Sequence, residues 1–284
     1  MKKILQWYNK LTNRIKTSIT FAVAIVGFIS TVMSVAGVSL HSWTQNVWFS
    51  LLIIVSVFVL IAGAVYMIIG MVFKDSVSIT IRQTPVSICY GDIFETDGWR
   101  IIGCDTHFDT RVDDVVISQK SLHGQLILNH GKVKEIKAAT KKEAQRLQLT
   151  PDSNGLYNFP LGTVVRYNSS VDNHTYLMLA MTELDEKFKA NTNMAKFEHM
   201  LMKMWSEIDR IYASNDLALP LLGTGISRFD DGPKDKETLL RCMLCTLNNS
   251  GVTLNSKVKV VIFGDDKDIP LYEYKDIFST VQRR

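Results

Sequence analysis

Apolar and polar positions divide this chain into two regimes. From Thr17 to Phe73 there is no Asp, Glu, Lys or Arg. That window holds two apolar runs, Thr17–Leu40 and Val47–Phe73, separated by the polar hinge His41–Asn46. Each run exceeds the roughly 20 residues a helix needs to cross about 30 Å of hydrocarbon. A soluble core helix pair would have to explain so long a charge-free window in a chain that is 21% charged. The pattern predicts a helical hairpin through a membrane. The first run is too long for a cleaved leader, and a second span follows it directly.

Beyond the second run the pattern changes to short strands and amphipathic helices. Ser76–Ile81 alternates as a strand, and Val86–Cys89 and Trp99–Cys104 are further short apolar runs. Val115–Ile127 fits helix or strand equally. Glu135–Leu149 predicts a polar surface helix, broken by Pro151–Gly155. Gly162–Tyr167 and Thr175–Ala180 predict paired strands around a polar turn.

From Thr192 to Tyr212, Met194, Phe197, Leu201, Met204, Trp205, Ile208 and Ile211 recur at helical spacing, with Asn191 or Thr192 as the cap. This stripe is core packing, and His199 beside it reads as structural. A strand ending at Gly223 follows, then a helix over Asp235–Asn248, a strand over Lys257–Phe263 and a last helix over Ile269–Gln282. Helices and strands in that alternation predict a layered α/β sandwich. Its ligand crevice is expected at the carboxyl ends of the strands.

Charge refines the picture. The formal total is +4, but the arm Met1–Lys16 carries Lys2, Lys3, Lys10, Arg14 and Lys16 and no acid. Everything after Phe73 is therefore slightly acidic. The basic excess suits an anionic lipid surface, not a nucleic acid. By the positive-inside rule the arm lies in the cytoplasm, and two spans return the rest of the chain to that side. The expected organisation is a basic arm over residues 1–16, a two-span hairpin over 17–73 and a cytoplasmic ligand-binding domain over 74–284. Cys242 and Cys245 fall on an apolar helical pattern and read as buried thiols, without a metal role.

Candidate chemistry concentrates in three places. The run Leu217–Leu222 ends in Gly223-Thr224-Gly225, followed by Ile226. A strand, a glycine turn and a hydrophilic segment are a layout that frees backbone N–H groups to hold an anion. An earlier strand runs into Gly91-Asp92-Ile93. Between them, Asp105, Asp109, Arg111, Asp113 and Asp114 crowd one loop. Calcium-loop spacing is absent there, so a ligand-lining loop with capping carboxylates is the better reading than a metal site.

These motifs, in this order, resemble the macro domain, a three-layer α/β/α fold with a mixed sheet that binds ADP-ribose and related nucleotides. The resemblance runs from about Val77 onward. It implies that Asp92, with Ile93 beside it, meets the adenine. It implies that Leu222, Gly223, Thr224, Gly225 and Ile226 meet the diphosphate and nearby ribose, and that Phe263 stacks near the base. Hydrolytic macro domains carry an asparagine and glycine run where this chain has Gly103–Thr110, so binding without catalysis is the default expectation, with no cofactor and no metal; the alternatives are a membrane-tethered ADP-ribosylhydrolase and a passive scaffold that binds ADP-ribose. A two-span hairpin joined to such a domain, with Phe108-Asp109-Thr110 and Ser121-Leu122-His123-Gly124, is similar to the membrane effectors of type II Thoeris anti-phage defence. That resemblance implies a histidine-linked ADP-ribose signal made from NAD by a TIR-domain enzyme. It further implies homo-oligomerisation at the inner cell membrane and damage to that membrane. Asp109, Arg111, Asp113 and His123 are the candidates to read the terminal group of the ligand; the alternative is that they order their loop.

Overall fold

The computed structural model describes residues 13–37, 46–72, 76–184, 190–225, 228–230 and 232–263, together with 271, 277 and 281. The arm before residue 13, most of the hinge, the junction at 73–75, Ile226, the Gly264–Asp266 turn and most of the expected last helix lie outside the described residues. The chain folds as two compact units, one holding the N-terminal helices and one running from Ser78 to Asp265 and resuming at Ile277.

In the first unit, α1 (Asn13–Val35) and α2 (Val47–Val72) pack on each other. Both are long and apolar enough to cross a membrane, and most of their side chains are exposed. Several of their hydroxyls are satisfied within the helix. Thr20 Oγ1 donates to the Lys16 carbonyl and Thr31 Oγ1 to the Gly27 carbonyl, each at 2.9 Å. Asn46 caps α2, its side chain accepting from Trp48 N at 3.0 Å.

The second unit is built on a mixed sheet. Its strands are β1 (Ser76–Ile81), β2 (Thr84–Tyr90), β3 (Trp99–Asp105), β4 (Val164–Asn168), β5 (Thr175–Leu184), β6 (Ala190–Thr192), β7 (Leu217–Pro220), β8 (Arg228–Phe229) and β9 (Val258–Ile262). Among the described residues the main sheet runs β1-β2-β9-β7-β3-β5-β4, and β6 and β8 extend it from the far end of β5. Neighbours from β2 through β5 are parallel, while β4 pairs antiparallel with β5. Arg82 and Gln83, both at positive φ, make the tight link between β1 and β2.

Both sheet faces are buried, which is why these strands read as nearly continuous apolar runs. On β3, Ile102 and Cys104 join one core, and on β5 Tyr176, Met178 and Ala180 join the same one. Ile101, Leu177 and Leu179 alternate with them and are equally buried. The helices are α3 (Leu122–Gln125), which continues as a single π-type turn over Leu126–His130, then α4 (Val133–Arg146), α5 (Met194–Ile211) and α6 (Lys236–Asn249). Ile136 and Ala144 of α4 complete the first core. On the second layer, α5 and α6 pack together, tied by a buried bond from Trp205 Nε1 to Thr246 Oγ1 at 3.2 Å.

Several expectations change in detail. Asn193, not Asn191 or Thr192, caps α5, accepting from Lys196 N at 2.9 Å, because the two earlier residues are spent in β6. Val115–Ile127 is neither one strand nor one helix. It is a turn-rich segment closed by α3, with Ser121 accepting from Gly124 N at 3.0 Å. His199 is exposed on α5.

Candidate functional site

The parallel register aligns the carboxyl ends of four strands. Tyr90 pairs with Ile262, Pro220 with Val261 and Ala218 with Arg100. Continued one step from β2, two from β7 and four from β3, that register sets Gly91, Phe263, Leu222 and Cys104 on one level. With strands about 4.8 Å apart, the row from β2 through β9 and β7 to β3 spans about 14 Å.

A cavity of about 530 Å³ opens along this row. It brings together eight of the expected residues: Asp92, Ile93, His123, Leu222, Gly223, Thr224, Gly225 and Phe263. Ile226 lies outside the described residues. Asp109, Arg111 and Asp113 are not among the lining residues.

Each end of the row is locally built. At β2, Gly91 N donates to the Ile262 carbonyl at 3.2 Å, and Asp92 caps a short 3-10 turn over Ile93–Glu95 by accepting from Phe94 N at 2.8 Å. At β9, Phe263 is 74% exposed, an aromatic face left open beside the cavity. At β7, the chain turns through Gly223 at φ +87°, a conformation glycine adopts without a Cβ penalty. Thr224 Oγ1 donates to the Leu221 carbonyl at 2.8 Å and fixes the turn. Gly225 faces open space: a Cβ built there meets no atom within 4 Å.

The β3 end departs most from expectation. The pairing of β3 with β5 shifts between Cys104 and Asp105, so Cys104 faces Ala180 while Asp105 faces Thr182. The extra residue, Met181, presses its sulfur to 2.8 Å from where a Cβ on Gly103 would stand, which accounts for glycine there. Asp105 Oδ1 accepts from His107 N at 2.7 Å. Its Oδ2 lies 3.6 Å from His123 Nδ1, too far for a good hydrogen bond. Among the described residues, Asp105 Oδ2 and His123 Nε2 are buried without a hydrogen-bond partner. Burial pushes the His123 imidazolium below its ordinary pKa, against the pull of the Asp105 and Asp109 carboxylates. Gly124 sits beside it because a Cβ would collide with the Ser118 carbonyl.

The acidic loop resolves into turn chemistry. Asp109 accepts from Thr110 N at 2.7 Å and from Arg111 N at 3.0 Å, and its other oxygen holds the Arg111 guanidinium at 2.5 Å. Burial raises the Asp109 carboxyl, but Arg111 and these N–H groups outweigh it and leave its pKa lowered. Asp113 accepts from Val115 N and Val116 N, and Asp114 from Gln119 N. Among the described residues no group of three His, Cys, Asp or Glu side chains could hold a metal ion. Sequence reasoning missed Ser118, Lys120, Met181, Thr182 and Lys236, which also line the cavity. Four of them have no local motif to betray them. Ser118 had one signal, the glycine at Gly124 that its carbonyl requires.

A second constellation supports the Asp92 turn. Phe94 stacks on His130 at 4.3 Å, and His130 Nδ1 lies 3.0 Å from Asp172. Tyr176 donates to the same carboxylate at 2.6 Å. Buried Arg100 donates to the Thr96 carbonyl at 2.9 Å and to Tyr176 Oη at 3.2 Å.

Comparison with known proteins agrees with this geometry. The family model described as "Thoeris protein ThsA, Macro domain" matches residues 86–263. The Thoeris protein ThsA of Bacillus amyloliquefaciens (strain Y2) is 28% identical over 215 residues, covering 73% of this chain and 72% of that protein. Among solved structures, a macrodomain variant from Oceanobacillus iheyensis with ADPR gives a TM-score of 0.50 at 14% identity, covering 74% of this chain and 100% of its own. The macrodomain of that organism with MES bound gives 0.50 at 14% identity, covering 73% and 97%. At that identity these likenesses speak for the fold alone. The strand order, the cavity along its carboxyl edge and the family match together make this chain a member of the ThsA macro-domain family of Thoeris proteins.

Proposed function

We propose that this protein is a membrane-anchored nucleotide sensor of anti-phage defence. In this reading residues 1–16 form a basic cytoplasmic arm, 17–73 a two-span hairpin in the inner membrane and 74–284 a cytoplasmic receptor domain. The receptor binds an ADP-ribose-derived signal, a histidine-linked ADP-ribose made from NAD by a TIR-domain enzyme. Binding drives assembly of several copies and disruption of the membrane.

The observation that carries the reading is the cavity whose lining joins the Asp92 turn, Phe263 and the Gly223–Gly225 turn along one strand edge. That order suits a nucleotide laid across it. The base lies against Phe263 near Asp92, the diphosphate crosses the glycine turn, and the terminal ribose extends toward β3. Backbone N–H groups at a glycine turn can hold a diphosphate without a metal. The intrahelical satisfaction of Thr20 and Thr31 suits a hydrocarbon surrounding, where an unmet hydroxyl is costly.

For coupling, the nucleotide must bind the assembled state more tightly than the resting one. A hundredfold preference supplies about 2.7 kcal/mol per protomer. Calorimetric titration of the detergent-solubilised full chain with ADP-ribose tests the receptor half. Saturable binding at one nucleotide per chain is expected. Steady release of free ADP-ribose from a conjugate at enzymatic rates would overturn the receptor reading in favour of a hydrolase.

A further inference from the structure

Behind the Asp92 turn, Arg100, Tyr176, Asp172, His130 and Phe94 are joined in one run of contacts. Arg100 on β3 is 3% exposed. Its Nε donates to the Thr96 carbonyl at 2.9 Å and one terminal nitrogen to Tyr176 Oη at 3.2 Å. The other terminal nitrogen lies 3.3 Å from His174 Nε2. Tyr176 in turn donates to Asp172 Oδ2 at 2.6 Å, and His130 Nδ1 lies 3.0 Å from the same oxygen. Asp172 Oδ1 accepts from His174 N at 3.1 Å. The His130 ring then stacks on Phe94, with planes only 6° apart. Burial raises the Asp172 carboxyl, but the bonds from Tyr176, His174 N and His130 outweigh it and leave its pKa lowered. Asp172 is thus an ionised anchor on the turn between β4 and β5.

The run grips the Asp92 turn at two points. Phe94 N donates to Asp92 Oδ1 at 2.8 Å, and Thr96 Oγ1 donates to the Asp92 carbonyl at 2.7 Å. His130 holds the Phe94 ring, and Arg100 holds the Thr96 carbonyl. Asp92 lines the cavity, whereas Phe94, Thr96, Arg100, His130, Asp172 and Tyr176 are not among its lining residues. Burying a cation is costly, and apolar packing of equal volume often stabilises a fold as well. What the polar run adds is direction. It fixes the heading of one carboxylate, whose Oδ1 belongs to the turn and whose Oδ2 is left for a ligand. A hydrogen bond weakens steeply as its angle closes, so that heading decides how well the carboxylate discriminates.

Resting on the receptor reading above, we infer that His130 and Asp172 are positioning residues for base selectivity. Acting through Phe94 and through Tyr176, Arg100 and Thr96, they aim the Asp92 carboxylate at the base without touching the ligand. An aimed carboxylate accepts from an exocyclic amino group and is left unmet by a base that lacks one. A loosened carboxylate meets either base through water and loses the distinction.

The test is calorimetry of the full chain in detergent with ADP and with purine riboside 5′-diphosphate, which is ADP without its 6-amino group. Wild type is expected to bind ADP at least about tenfold more tightly, the scale of one hydrogen bond to a charged group. His130→Ala, Asp172→Ala and His130→Phe are each expected to lower that ratio at least threefold while leaving the affinity for the des-amino analogue within twofold. His130→Phe keeps a ring against Phe94 and removes only the bond to Asp172, so it carries the test if an alanine variant fails to fold. A merely structural role would lower the Tm, or both affinities in step, and leave the ratio at its wild-type value. That result overturns the inference, as does equal affinity of wild type for the two nucleotides. Failure of wild type to bind either nucleotide overturns the receptor reading instead, which keeps the two failures apart.

Discussion

Two glycines in one turn make opposite predictions. Gly225 has no atom within 4 Å of a built Cβ, and its φ lies outside the left-handed region. Gly225→Ala therefore adds a methyl to open cavity space and should leave stability within about 0.5 kcal/mol of wild type. If a phosphate approaches the backbone there, the methyl blocks it. Losing one hydrogen bond to a charged group costs about 1.5–3 kcal/mol, so ADP-ribose affinity should fall about tenfold to a hundredfold. Gly223 is the reverse case. Its φ of +87° is strained for any residue with a Cβ, and that Cβ would lie 2.9 Å from Leu239 Cδ2. The conformation alone costs about 1–2 kcal/mol, so Gly223→Ala should lower the Tm by about 2–8 °C for a unit of this size. Thermal unfolding of each variant, with calorimetry against ADP-ribose, separates the two. Gly225→Ala binding within twofold of wild type would refute the diphosphate assignment. Gly225→Ala melting like Gly223→Ala would refute the reading of the turn itself.

Three further outcomes follow from the same geometry. Phe263→Ala should leave the Tm unchanged, since the ring is mostly exposed, yet weaken ADP-ribose about fivefold to a hundredfold through loss of base stacking; unchanged affinity would move the base elsewhere. Arg111→Ala should leave ADP-ribose affinity within twofold but lower the Tm, because it strips the buried Asp109 of its cation; a tenfold affinity loss would return Arg111 to the site. Burial holds the folded His123 pKa down, so below its ordinary value of about 6.5 the unfolded chain takes up a proton that the folded chain resists. Stability should therefore fall from pH 7 toward 5 by up to about 1.4 kcal/mol per pH unit. Urea unfolding should show that extra loss in wild type and not in His123→Leu.

The two N-terminal apolar helices were legible because an unbroken apolar run needs no tertiary information to be read. The strands were legible because both faces of β3, β5, β7 and β9 are largely buried, so their sequences are nearly continuous apolar runs. The two motifs at strand ends were legible because glycine and Asp92 answer local backbone demands. The segment from Val115 to Ile127 was not, because its shape comes from side chains capping backbone N–H groups, at Asp113, Asp114 and Ser121, and not from any period. The Asp109–Arg111 pair has the look of ligand chemistry in sequence and is spent on its own loop. The bulge at Met181 left no mark in the sequence, yet it shapes the cavity beside Gly103. His123 was legible as a candidate, but no motif signals the burial that leaves its Nε2 without a hydrogen-bond partner among the described residues.

If a nucleotide bound on the strand edge controls a membrane hairpin, dye release from vesicles tests it most directly. The vesicles are of phosphatidylethanolamine and phosphatidylglycerol and carry the full chain. Histidine-linked ADP-ribose should release the dye from wild-type vesicles and not from vesicles carrying Gly225→Glu. Release independent of nucleotide, or none from wild type at saturating conjugate, would contradict it.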